Sequence, residues 1–193
     1  VYTPSQTFIA TYNLNVKENN TFIQFSQHFK NKELPVPAVY CVSDDGKIYI
    51  QEDLGTESLL NRLEQKGYTD EVYQLFQKSL KALAQLQIKG DEGLNYDLCL
   101  TAKEFGKQAI LSDLLYFKYY FLDTLRLPYD KQQMIDDFEA LSTYLTFTEH
   151  KHFMFRDFQS RNIIINNNEV HFIDYQGGMK GALQYDVASL LWQ

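Results

Sequence analysis

The chain is 193 residues long, 45% hydrophobic and 15% aromatic, with only 9 glycines and 4 prolines. Such a composition describes a folded chain with a sizeable core and excludes a disordered segment. Its 18 basic and 25 acidic residues leave a net charge of −7, and no basic stripe is present to neutralise a nucleic-acid backbone.

Thr7 to Tyr12 alternates and is rich in β-formers, which predicts a strand. From about Glu18 to Lys30, Phe22, Ile23, Phe25 and Phe29 recur at helical spacing, and Pro35 and Pro37 end that region. Val39–Val42, the turn Ser43-Asp44-Asp45-Gly46 and Lys47–Gln51 form a hairpin. After Glu52-Asp53-Leu54-Gly55 the pattern turns helical. Thr69 is placed to cap a helix that Gly90 closes, with Val72, Leu75, Phe76, Leu80, Leu83 and Leu86 on one face. A second helix is expected from about Lys107 to Arg126, before Pro128. A third starts at Asp130, with Met134, Phe138, Leu141 and Leu145 as its buried stripe. Short strands return at Asn162–Ile165 and Glu169–Ile173, joined by an Asn166-Asn167-Asn168 turn.

No run of about 18 apolar residues is present, so no membrane-spanning helix is expected. Cys41 and Cys99 are the only thiols. They read as two buried, reduced cysteines of a cytoplasmic protein, with a disulfide left open.

The chemistry concentrates in residues 155–186. Arg156-Asp157, four residues and then Asn162 put a carboxylate and a carboxamide on one loop, and Asp174 follows the second strand of the hairpin. A hairpin returns its two ends to one place, so the three side chains can converge. Phosphoryl transfer uses such a set, with a carboxylate facing the attacking hydroxyl and a few oxygens for Mg²⁺ across the phosphates.

This order resembles the catalytic and metal loops of the protein-kinase-like superfamily, closest to the aminoglycoside phosphotransferase and choline kinase branch. The stretch from Ile173-Asp174-Tyr175-Gln176 to Tyr185-Asp186-Val187-Ala188-Ser189-Leu190-Leu191 looks like the anomeric sugar kinases acting on N-acetylmuramate and N-acetylglucosamine. The resemblance implies an α+β, two-lobed kinase-like fold. Residues 1–52 would be a partial N-lobe, 53–56 the hinge, and 57–193 a mostly helical C-lobe. It implies ATP and Mg²⁺ as cofactors and a small sugar-like acceptor as partner.

On the same resemblance Asp157 is the catalytic base and Asn162 and Asp174 are metal ligands. Gln51, Glu52, Asp53 and Leu54 hold the adenine edge, and Lys17 is the nearest candidate for gripping phosphates, with Glu18 as its partner. Lys17 reads equally as a solvated surface residue. Asp113, Gln159, Arg161 and Gln176 are expected near the acceptor, and Arg156 and Asp186 brace the loop.

Three departures stand out. Phe155 occupies the usual histidine position, no glycine precedes Gly46 to form a phosphate-covering loop, and Phe8–Tyr12 lacks a lysine. The absent loop, the missing initiator Met and an end at Gln193 within an apparent helix read as a fragment. Gly177, Gly178 and Gly181 read as a flexible turn, and the aromatic run Tyr116, Phe117, Tyr119, Tyr120 and Phe121 as packing. Two other function classes remain open: a nucleotide-binding module without catalysis, and a kinase for an aminoglycoside or choline-like cation.

Overall fold

The computed structural model describes residue 1 and residues 6–192. The strand β1 (Phe8–Tyr12) pairs antiparallel with β3 (Ile48–Glu52), which pairs on its other side with β2 (Val39–Val42), giving the order β1-β3-β2. Asp45 builds the β2–β3 turn by accepting from Ser43 Oγ and Lys47 N, while Gly46 takes a positive φ of 69°. Between β1 and β2 runs α1 (Val16–Asn31), capped by Asn15, whose side chain accepts from Glu18 N. Its buried face carries Phe22, Ile23, Phe25 and Phe29.

The chain leaves the sheet through Asp53–Ser58 into α2 (Leu59–Lys66), a helix that the sequence reading did not separate. Ser58 and Asn61 close a capping box at its start. Next comes α3 (Asp70–Asp91), which buries Val72, Leu75, Leu83 and Leu86. Gly90 does not close this helix. It lies inside the last turn, where a Cβ would meet Phe29 Cε1 at 3.0 Å, so its role is close approach of α1. Thr69 takes the cap position without a side-chain cap bond.

The helix expected over 107–126 breaks into α4 (Lys107–Phe117) and one π turn over Lys118–Leu122. Asp130 caps α5 (Lys131–Leu145) by accepting from Gln133 N, as its residue type predicts. Its expected buried stripe is half open: Met134 and Phe138 are partly covered and Leu141 and Leu145 exposed. The aromatic run is exposed too, stacked in pairs, Tyr116 on Tyr120 and Phe117 on Phe121.

Three short elements frame the loops that follow. The strand β4 (His152–Met154) pairs with β7 (Met179–Gly181), and β5 (Ile163–Asn166) pairs with β6 (Glu169–Phe172). Asn167 and Asn168 connect β5 to β6 with φ of 50° and 63°, the mirror-image turn that suits a two-residue hairpin. Last comes α6 (Leu183–Leu191).

Sheet and helices share one aromatic core. Phe22 stacks between Tyr49 of β3 and Tyr175, at 5.2 and 5.4 Å, and Phe29 meets Phe153 at 4.9 Å. Phe155, Phe158 and Phe172 complete it without solvent exposure. Each fully buried ring contributes roughly 2–3 kcal/mol, so the loop between β4 and β5 is anchored by its own aromatics. Phe155, in the usual histidine place, is one of them. Cys99 is buried but Cys41 is exposed on β2, against the expectation of two buried thiols.

Candidate active site

The loop after β4 is held from below by Asp186 of α6. Its carboxylate is fully buried and accepts from Phe155 N (2.8 Å), Arg156 N (2.9 Å) and Gln87 Nε2 (2.7 Å). Burial dominates these donors and raises its pKa from 3.8 to about 6. Arg156 itself takes a φ of 77°, a costly conformation for a long side chain. Its guanidinium faces both oxygens of Asp113 on α4 at 3.1 Å and lies over the Phe105 ring at 5.1 Å.

Asp157 comes next and is exposed. Asn162, buried at the start of the hairpin, donates its Nδ2 to Asp157 O (2.9 Å), and its own carbonyl accepts from Ile173 N (3.1 Å). Two hydrogen bonds thereby tie Asp157, Asn162 and the residue before Asp174 into one unit. Asp174 has a φ of 68°, tolerable for an aspartate, and accepts from Gln176 Nε2 at 2.9 Å.

Two cavities adjoin this unit. One, of about 410 Å³, lies between the sheet and the hairpin and is lined by Phe22, Tyr49, Gln51–Gly55, Asn162, Asp174 and Gln176. The other, of about 400 Å³, is lined by Leu100–Ala102, Gln108, Ala109, Ser112, Asp113, Arg156, Asp157 and Gly177. Both use the Asp174–Gly177 segment, Asp174 and Gln176 in the first and Gly177 in the second.

The first cavity fits a nucleotide. Gln51 Oε1 and Gln176 Oε1 are buried without a hydrogen-bond partner, each a deficit of about 1–3 kcal/mol that a donor on a ligand would remove. Among the described residues no group of three or more His, Cys, Asp or Glu could hold a metal alone. One carboxylate and one carboxamide suit Mg²⁺, which keeps its remaining positions for water and phosphate oxygens. All four expected hinge residues, Gln51, Glu52, Asp53 and Leu54, line this cavity. The Glu52 carboxylate is turned to Ala38 N (3.0 Å) and Lys30 (3.1 Å). Burial would raise it, but these two donors outweigh burial and hold it below its ordinary value.

Other expected residues lie elsewhere. Lys17 is absent from the residues lining the nucleotide-sized cavity: its Nζ donates to Leu100 O at 2.7 Å. Nor does it pair with Glu18, whose carboxylate accepts from Asn13 and Asn15 side chains. Lys17 and Leu100 are 83 positions apart, which makes that partner invisible to local sequence pattern. Gln176 lines the first cavity, not the second with Asp113. Gln159 and Arg161 line neither, because the 3₁₀ turn Ser160–Asn162 carries that stretch past both. The pairing of Arg156 with Asp113 is invisible to local sequence pattern, since the two are 43 positions apart.

Of the three glycines expected to be a flexible turn, Gly177 has open space around it, whereas Gly178 and Gly181 are packing devices. A Cβ on Gly178 would sit 2.5 Å from Phe153 Cζ, and one on Gly181 would sit 2.6 Å from Met154 Sδ. They let β7 lie directly on β4. Among the described residues no helix is long and apolar enough to cross a membrane.

Comparison with solved structures places this arrangement in a wider set. The aminoglycoside phosphotransferase APH(4)-Ia, as a thermostable mutant, aligns with a TM-score of 0.60 at 15% identity, over 97% of this chain and 65% of that one. APH(2")-IIa in complex with streptomycin and ATP aligns at 0.62 and 13% identity, over 95% and 64%. A choline/ethanolamine kinase family protein from Mesorhizobium loti aligns at 0.56 and 11% identity, over 89% and 53%. The chain thus spans less than two thirds of the length of each. These likenesses show the α+β, two-lobed kinase-like fold, here with a partial sheet lobe. No curated protein matches the chain. The model of the phosphotransferase enzyme family matches residues 13–193, nearly the entire sequence, and the chain therefore belongs to that family.

Proposed function

We propose that the protein transfers the γ-phosphoryl group of ATP to a hydroxyl of a small, neutral, sugar-like acceptor. The observation that carries this reading is the pair of cavities sharing the Asp174–Gly177 segment, one with Asn162 and Asp174 and the other with Asp157. ATP occupies the first, with its base against Gln51–Leu54 and its phosphates toward Asn162 and Asp174. Mg²⁺ held there offsets charge on the phosphates. The acceptor occupies the second, where Asp157 orients the hydroxyl and takes its proton as the oxygen attacks the γ-phosphorus and the bond from that phosphorus to the β–γ bridging oxygen breaks, releasing ADP. Asn162 Nδ2 and Asp186 keep that carboxylate in place through the backbone, so catalysis is by positioning and electrostatics without a covalent enzyme intermediate. A solved neighbour at 13% identity holds ATP, which agrees with ATP as donor.

A neutral acceptor is favoured by the charge of the second cavity. Of its two carboxylates, Asp113 already faces Arg156 with both oxygens, leaving Asp157 alone to meet a cation. That is a poor seat for a polycationic aminoglycoside, although a structural neighbour was solved with streptomycin. ATP consumption measured against a panel of amino sugars, neutral sugars, aminoglycosides and choline tests the choice. Turnover with a neutral sugar or N-acetylated amino sugar is expected, and Asp157→Ala should lower it by at least about 10³-fold while nucleotide still binds. Full turnover in Asp157→Ala, or turnover with cations alone, overturns the reading.

A further inference from the structure

Helix α1 belongs to the sheet lobe, yet its first two turns bond to the segment around the 3₁₀ turn Tyr96–Leu98. Lys17 Nζ donates to Leu100 O at 2.7 Å, and Thr21 Oγ1, fully buried, donates to Leu98 O at 2.6 Å. One turn of helix separates the two donors, and one residue, Cys99, separates the two acceptors. Both bonds therefore grip the same extended segment, which leaves the 3₁₀ turn Tyr96–Leu98. Farther along, Lys103 O accepts from Lys180 N (2.9 Å) and Phe105 N donates to Lys180 O (2.7 Å). The segment is thus pinned at both ends, and between the pins Leu100, Thr101 and Ala102 form a wall of the cavity that holds Asp113 and Asp157.

We infer that Lys17 is a positioning residue for the acceptor: through Leu100 O it fixes the wall that faces Asp157 and thereby couples the sheet lobe to acceptor binding. This rests on the acceptor reading of that cavity. Lys17 touches neither substrate. Lys17 is exposed and acts on this segment through the Leu100 carbonyl, so removing its ammonium loosens residues 99–102 while leaving the ATP-sized cavity intact.

Lys17→Met in the full-length protein should raise KM for the acceptor about fivefold, the size of one hydrogen bond. The kcat and the KM for ATP should be unchanged, the melting temperature should fall by no more than a few degrees, and Lys17→Arg should restore the acceptor KM. Hydrogen exchange at the Cys99 amide, which donates to Tyr96 O beside the gripped carbonyls, should quicken in Lys17→Met, a readout independent of turnover. An unchanged acceptor KM, or unchanged exchange at the Cys99 amide, overturns the inference. A rise in KM for ATP overturns it too, because Lys17 would then act on phosphates. Absence of transfer by the unsubstituted protein to any hydroxyl sinks the phosphotransfer reading itself, a failure distinct from an active protein whose Lys17→Met variant behaves normally.

Discussion

Asp186 illustrates how a single buried carboxylate can organise a loop that it never joins. It receives three N–H donors, two of them from the backbone of Phe155 and Arg156, immediately before Asp157. Its pKa is nevertheless raised to about 6, chiefly by burial, so the folded chain holds its proton more tightly than the unfolded chain does. Stability from this group is therefore complete below its ordinary value of 3.8 and is lost as pH rises through about 6. In Asp186→Asn that dependence disappears, and the new Nδ2 must face an N–H donor at a cost of about 1–3 kcal/mol. Urea unfolding of both proteins from pH 4 to 7 should give a stability difference that grows as pH falls. A difference independent of pH would show that Asp186 is charged throughout. At the same scale, Arg156 spends backbone strain at φ 77° to face Asp113 from the residue beside Asp157, an arrangement in which a strained residue lies next to the candidate base.

Among the elements, the β4–β7 ladder is the one that its glycines decide. Gly178 leaves no room for a Cβ beside Phe153 and the Met154 carbonyl. Gly178→Ala should lower stability by about 1–3 kcal/mol, as overpacking does, and should show as a fall in melting temperature. A wild-type melting temperature would mean that the ladder yields freely. These strands are three residues each, too short for an alternation to announce them. By contrast β1, the β2–β3 hairpin and the β5–β6 hairpin were legible, because turn chemistry at Gly46 and at Asn167-Asn168 is local. The α5 cap at Asp130 was legible for the same reason, but not which face of α5 is covered, since periodicity names an apolar stripe without naming what packs on it. The candidate site divides along that line. Asp157, Asn162 and Asp174 lie on two loops of one hairpin and could be read together. The Lys17–Leu100 and Arg156–Asp113 contacts depend on how distant segments fold back.

For the whole molecule, the nucleotide-sized cavity takes its walls from both lobes: Tyr49 and Gln51 from the sheet, Asn162 and Asp174 from the hairpin. A ligand seated there binds only when the two are assembled, so it stabilises the folded state by mass action, by about 2.7 kcal/mol at a hundredfold excess over Kd. ATP with Mg²⁺ should accordingly raise the melting temperature by several degrees. Asp174→Ala should abolish the Mg²⁺-dependent part, because Asn162 then stands as the remaining side-chain oxygen for the cation. A shift of full size in Asp174→Ala would remove Asp174 from metal binding. Lys30 and Glu52 bridge α1 to the end of β3 within the sheet lobe, so that lobe should respond to a ligand as one body.

Phe22 sits in this cavity wall while its ring lies sandwiched between Tyr49 and Tyr175. Tyr175 in turn is wholly buried and linked through its hydroxyl to Ser26 at 2.5 Å. Filling the cleft against Phe22 would consequently bear on a wholly buried phenol one residue past Asp174, and would quiet the centre of the protein as well as its mouth.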